Sequence, residues 1–180
     1  MNFHRESPDQ IQAGLQQLVK VRPVVVALAG QPNVGKSTVF NLLTGLKQHV
    51  GNWPGKTIER KEGPLDYDGT TYRLVDLPGT YSLTANSIEE VIAREFIIRE
   101  RPDVVVALVN AAALERSLYL VAELVSLPVP VVVALNMMDV ARQEGFHIEP
   151  DVLEAALGVP VVPMIATRNV GVRELMETVG

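Results

Sequence analysis

Gly30-Gln31-Pro32-Asn33-Val34-Gly35-Lys36-Ser37 is the stretch from which the rest of the chain is read. It fits G-x-x-x-x-G-K-[ST]. The run before it, Val24-Val25-Val26-Ala27-Leu28, is apolar and mostly β-branched, and the run after it, Thr38-Val39-Phe40-Asn41-Leu42-Leu43, suits a helix. Glycines at both ends let the backbone curl so that successive N–H groups point inward at a helix N-terminus, where the dipole also favours negative charge. Lys36 then reaches the β- and γ-phosphates of a nucleotide. Ser37, one residue into the helix, offers its hydroxyl to a Mg²⁺ ion bridging them.

Composition limits what else the chain does. Its 180 residues suffice for one domain with a full core, and 47% apolar with 21% charged residues is a globular balance. The absence of cysteine excludes disulfides, thiolate metal sites and cysteine nucleophiles. A net charge of −5 has the wrong sign for gripping a phosphate backbone, so nucleic acid is not an expected partner. No apolar run approaches the roughly 18 residues that cross a bilayer, and residues 1–20 lack the apolar block of a signal peptide. A soluble, cytoplasmic chain is expected.

Residues 1–22 form an N-terminal extension, read either as a short amphipathic helix from about Asp9 to Lys20 after Ser7-Pro8 or as a frayed tail. Residues 23–180 alternate strands and helices. Val24 to Ala29 is the first strand, followed by a helix to about Thr44 that Gly45 stops. Lys47 to Lys56 has no periodicity and reads as a loop. Ile58 to Tyr67 and Thr70 to Asp76 are strands joined by the hairpin turn Asp68-Gly69. Ser87-Ile88-Glu89-Glu90 reads as a capping box opening a helix to about Glu100. Strands at Asp103–Asn110, Val129–Asn136 and Val159–Ile165 then alternate with helices at Leu114–Ser126, Pro150–Leu157 and Val172–Val179. This predicts an α/β P-loop NTPase fold of the Ras-like kind: a six-stranded, mainly parallel sheet with one antiparallel strand and helices on both faces. The ligand belongs at the carboxyl ends of the strands.

Further candidate residues fall at that edge. Asp76-Leu77-Pro78-Gly79 ends the third strand, where Asp76 holds Mg²⁺ through its water shell and the Gly79 N–H meets the γ-phosphate. Asn136-Met137-Met138-Asp139 closes the fifth strand. The Asp139 carboxylate accepts hydrogen bonds from N1–H and the 2-amino group of guanine, an amine adenine lacks, and Asn136 ties this loop back to the phosphate loop. Thr57, just before the second strand, is the best hydroxyl in the first mobile loop for a second Mg²⁺ ligand. His4, His49 and His147 do not cluster and make no metal-ligand pattern.

With these residues assembled, the chain resembles the translation-factor-like GTPases, and among them the cytosolic G domain of the ferrous-iron transport protein B family. The matching segments are Gly30 to Thr38, Val50-Gly51-Asn52-Trp53-Pro54-Gly55-Lys56-Thr57 through Gly63, Asp76-Leu77-Pro78-Gly79-Thr80-Tyr81-Ser82-Leu83, and Ala134 to Asp139, within a similarity over residues 23–180. The resemblance implies GTP hydrolysis coupled to iron(II) uptake, on the cytoplasmic side of an inner membrane. The partner would be a membrane transport region that these residues do not include, and homo-oligomers through that region are allowed. It also implies that Asn33 helps hold K⁺ beside the phosphates, together with carbonyls around Asn52 and Trp53, doing the charge stabilisation of an arginine finger. Nucleotide contacts then fall on Gly30, Asn33, Val34, Gly35, Lys36, Ser37, Thr38, Thr57, Gly79, Asn136, Met137, Asp139, Ala166 and Thr167, and Lys36, Asn33, Thr57 and Gly79 carry the catalysis.

The sequence departs from the pattern in places. Family G domains usually begin near the first strand and are followed by a helical domain, so a truncated form or an unusual member is expected. The closing loop reads Ile165-Ala166-Thr167 where Ser-Ala is common. The Ala166 N–H is still expected to meet guanine O6, but with weak affinity and fast release. Thr80 stands where Ras-like enzymes carry a water-orienting glutamine, so intrinsic hydrolysis is expected to be slow. Two alternatives remain beside a K⁺-stimulated GTPase: a nucleotide-sensing module with negligible hydrolysis, and a GTPase acting on ribosomal RNA, which the acidic balance disfavours.

Overall fold

The computed structural model describes residues 22–180. Apart from residue 22, the N-terminal extension and its expected helix lie outside the described residues. The elements are β1 (Val24–Gly30), α1 (Lys36–Thr44), β2 (His49–Asn52), β3 (Glu59–Tyr67), β4 (Thr70–Asp76), α2 (Ile88–Glu95), β5 (Val104–Asn110), α3 (Leu114–Val125), β6 (Val131–Asn136), α4 (Met138–Gln143), α5 (Pro150–Leu157), β7 (Val161–Pro163) and α6 (Val172–Val179). They build one seven-stranded sheet in the order β2-β3-β4-β1-β5-β6-β7.

The continuous apolar runs form the centre of the sheet because both of its faces are covered. β5 and β6 are buried along almost their whole length, and β1 pairs in parallel with β4 on one side and β5 on the other. Alternate residues feed two cores. Val26, Leu28 and Leu74 face α1 and α6, where Phe40 and Leu175 are 1% and 0% exposed. Ala27, Ala29, Val75 and Val105 face α2 and α3, with Ile92, Phe96, Val121 and Leu124. Burying each such large side chain is worth roughly 1.5–3 kcal/mol, and this rather than helix propensity holds the helices to the sheet.

The sheet has seven strands, not six. The extra strand, β2, lies within the segment read as a loop and pairs antiparallel with β3 from His49↔Glu62 to Asn52↔Glu59. All four of its residues are exposed, so it shows none of the apolar alternation that marks a strand in sequence. Backbone hydrogen bonding to the long edge of β3 makes it a strand. Because β3 is antiparallel to both neighbours, it remains the single reversed strand. The last strand is shorter than expected, at three residues. The helix expected to run to Glu100 changes at Phe96 into a π-helical turn, Phe96–Glu100, and α4 was not foreseen.

Candidate functional site

β1 delivers the phosphate loop. Gly35 caps the helix that follows at φ 89°, and a Cβ there would collide with Asn136 Nδ2, so only glycine lets the loop close against the end of β6. Asn33 is also left-handed, at φ 65°. Gln31, Asn33, Gly35, Lys36, Ser37, Thr38, Gly79 and Met137 line a cavity of about 520 Å³ together with Pro32. Its floor is the first turn of α1, whose N–H groups have no partners within the helix. A Cβ on Gly79 would lie 3.2 Å from Pro32 N, which shows how closely the second loop, residues 79–86, approaches the phosphate loop. Thr80 continues that contact, its N–H donating to Gly30 C=O at 3.1 Å.

Lys36 Nζ lies 2.7 Å from Asp76 Oδ1, with side chains 12% and 11% exposed. A nearly buried ammonium and carboxylate at this distance compensate each other's lost hydration. One carboxylate beside one hydroxyl, Asp76 and Ser37, with phosphates to complete the shell, is a donor set suited to Mg²⁺, which takes few protein ligands. Among the described residues no group of three or more His, Asp or Glu side chains gathers as a separate metal site.

The base side is held by Asn136, which is 3% exposed. Its Nδ2 donates to Val34 C=O and its Oδ1 accepts from Ala166 N–H, each at 3.0 Å. One side chain thus joins the phosphate loop, the end of β6 and the loop after β7. The Ala166 N–H, the expected donor to guanine O6, is engaged by Asn136 in this structure. The next N–H, that of Thr167, lies in the first turn of the 3₁₀ segment Ala166–Arg168, where N–H groups lack helical partners. Met137 takes a left-handed turn at φ 63° and starts α4, which carries Asp139. Arg168 Nη2 is 3.9 Å from Asp139 Oδ2, a neighbour that the Asn-x-x-Asp pattern did not reveal.

The first mobile loop is elsewhere. Thr57 is exposed, and neither it nor Asn52 nor Trp53 lines the phosphate cavity. The Trp53 carbonyl accepts the Lys56 N–H at 2.9 Å. The expected K⁺ ligands are therefore not brought together in this arrangement: Asn33 is at the cavity, while the carbonyl side belongs to a closed turn packed on α2. Trp53 itself is 5% exposed, because a large apolar ring in a polar loop gains more by entering the core than by facing water.

The second mobile loop is organised by Glu90. Its carboxylate accepts from Asn86 N–H at 2.9 Å and from the hydroxyls of Ser82 and Thr84 at 2.9 and 3.3 Å, while Ser87 Oγ caps the helix by accepting Glu90 N–H at 3.2 Å. The reciprocal bond of the capping box thus falls one residue earlier than the sequence pattern implies. The Asn86 N–H, and then the two hydroxyls, hold the Glu90 carboxyl below its ordinary value, against the opposing effect of burial. Leu83 N–H is fixed by Glu123 Oε2 at 2.8 Å.

Residues 24–179 match the family model described as ferrous iron transport protein B. The chain is 46% identical over 159 residues to the Fe(2+) transporter FeoB of Shigella flexneri, an overlap that covers 86% of the chain and 21% of that protein. It therefore spans about a fifth of the length of such relatives. The crystal structure of the G domain of the T. maritima FeoB iron transporter is 44% identical with a TM-score of 0.82, covering 88% of this chain and 97% of that one. The cytosolic domain of the same transporter in its GMPPNP form is also 44% identical at a TM-score of 0.82, covering 87% and 62%. Among the described residues no helix is long and apolar enough to cross a membrane. With the Asn136 bridge joining its phosphate and base loops, the chain belongs to the ferrous iron transport protein B family, as a P-loop G domain.

Proposed function

We propose that this chain binds guanine nucleotides and hydrolyses GTP to GDP and phosphate with Mg²⁺, stimulated by K⁺, as the cytosolic switch domain of a ferrous-iron transporter. The observation that supports this reading is the Asn136 bridge, which ties the end of β6, three residues before Asp139, to the phosphate loop and to the loop after β7. In the reaction a water oxygen bonds to the γ-phosphorus as the bond to the β–γ bridging oxygen breaks. Mg²⁺, which Ser37 and Asp76 would hold, would supply neutralisation of the charge developing on the phosphate oxygens.

The chain's own residues do the remaining work. The phosphate loop cradles the β-phosphate through backbone N–H groups, and Lys36 exchanges its partner Asp76 for phosphate oxygens. Ser37 and Asp76 hold the metal, and Thr57 joins them when the first loop closes. The Gly79 N–H meets the γ-phosphate, Asp139 and the Thr167 N–H read the base, and Asn33 with the Asn52 and Trp53 carbonyls takes K⁺ after the same closure. Thr80, the residue after Gly79, is 3% exposed and carries no carboxamide to orient water, which supports a slow intrinsic rate.

That burial also favours a second reading, a nucleotide sensor with negligible turnover. Steady-state GTP hydrolysis in K⁺ against Na⁺ tests both, with Lys36→Ala as the control. The GTPase reading expects stimulation by K⁺ and a loss of about 10²-fold or more in Lys36→Ala, by analogy with removal of a charge-stabilising donor. Turnover indistinguishable from that of Lys36→Ala in either salt would leave the sensor.

A further inference from the structure

Trp53 is the chain's single tryptophan, buried in a loop where Asn52, Pro54, Gly55, Lys56 and Thr57 are all exposed. Its indole meets the Phe96 ring edge-on, with centroids 5.6 Å apart and planes at 78°. The Arg60 guanidinium covers the indole at 4.7 Å and reaches Phe96 at 6.0 Å. Phe96 opens the π-helical turn, a feature found often at functional positions in helices. The backbone closes around the same residue: Trp53 N–H donates to Ile58 C=O and Lys56 N–H to Trp53 C=O, each at 2.9 Å.

Thr57 lies between Lys56 and Ile58, both of which are bonded to Trp53. It therefore reaches the phosphate cavity only if this turn opens or moves as a unit, and either change pulls on the indole. The seat is also incomplete. Among the described residues no acceptor meets the buried Trp53 Nε1 or Arg60 Nε, which offsets part of the apolar and cation–π gain of the stack. A groove of about 310 Å³ lined by Trp53, Lys56, Arg60, Phe96 and Arg99 lies beside it.

We propose that the Trp53–Arg60–Phe96 stack is a latch that holds Thr57 off the phosphate cavity. Arg60 and Phe96 are then positioning residues that set how readily the first loop closes on a guanosine triphosphate. The inference rests on the reading of Thr57 as a metal-binding hydroxyl of a guanine-nucleotide switch. A triphosphate with Mg²⁺ recruits Thr57 and works against the latch; a diphosphate does not. Apparent triphosphate affinity is lowered by the fraction of molecules latched.

Trp53 emission reports the latch directly. A non-hydrolysable GTP analogue with Mg²⁺ is expected to shift the emission to longer wavelength and increase acrylamide quenching, whereas GDP leaves both unchanged. In Thr57→Ala the analogue produces no shift. Phe96→Leu, and independently the partly exposed Arg60→Gln, are expected to raise affinity for the analogue about three- to tenfold by calorimetry, with GDP affinity unchanged. Calorimetric binding of the analogue with Trp53 still buried overturns the latch, as does an equal change for both nucleotides in either variant. Absence of binding by either nucleotide overturns the nucleotide reading, and the latch with it.

Discussion

On the base side of the cavity, one buried asparagine closes hydrogen bonds across 102 and 30 residues of sequence, and both partners are backbone groups. On the γ-phosphate side, Thr57 and Tyr81 are exposed, and the loops that carry them are held by side chains: Trp53 against Phe96, Glu90 beneath Ser82 to Asn86. The base wall rests on buried bonds that are costly to leave unmade. The opposite wall rests on an aromatic stack and on bonds of the Glu90 carboxylate, some of them exposed and open to exchange with water.

This contrast is most severely tested at Gly35. In Gly35→Ala the left-handed backbone and the collision with Asn136 Nδ2 are expected to cost about 3–5 kcal/mol together, so that GTP affinity falls on the order of 10²–10³-fold by calorimetry. Next comes Asn136→Ala, which strands the Val34 carbonyl and the Ala166 N–H. A loss of about 2–3 kcal/mol of stability is expected, visible as a lower urea midpoint with an unchanged slope. A near-neutral result would mean that the base wall is not the rigid member of the pair.

The smallest effect belongs to the other wall. Because Glu90 titrates below its ordinary value of 4.5, its contribution to order is fully present above that value and is lost as pH falls through the lowered one. The Asn86 amide proton resonance is expected to move as pH drops below about 4.5, and to stay still in Glu90→Gln, with global unfolding unaffected near neutral pH. An Asn86 resonance that titrates alike in both proteins would remove Glu90 as the organiser of this loop.

Much of the base wall and phosphate loop was legible in the sequence, because glycine, lysine and asparagine there serve backbone geometry fixed by short spacing. The strands between them showed as β-branched runs since both sheet faces are covered. The mobile wall was less legible. β2 has no buried side chain to set a period, and Trp53, inside a run of Gly, Asn and Pro, reads as loop although its ring enters the core. The π-helical turn at Phe96 has no composition of its own and reflects packing against that ring. That the Ala166 N–H is engaged by Asn136 was not legible, because the bond joins residues 30 apart in sequence.

β2 also bears on how the domain behaves in crowded solution. It is the outer rim of the sheet, and its four exposed residues offer few open backbone groups to a second molecule, short rims being one protection against edge-to-edge association. Beneath it lies β3, nine residues beginning Glu59-Arg60-Lys61-Glu62 and containing Pro64. Charged side chains and a proline are among the means by which natural sheets guard a long rim. Should β2 peel away with the first loop, the newly bared rim would present charged side chains and a proline, features that discourage edge-to-edge pairing.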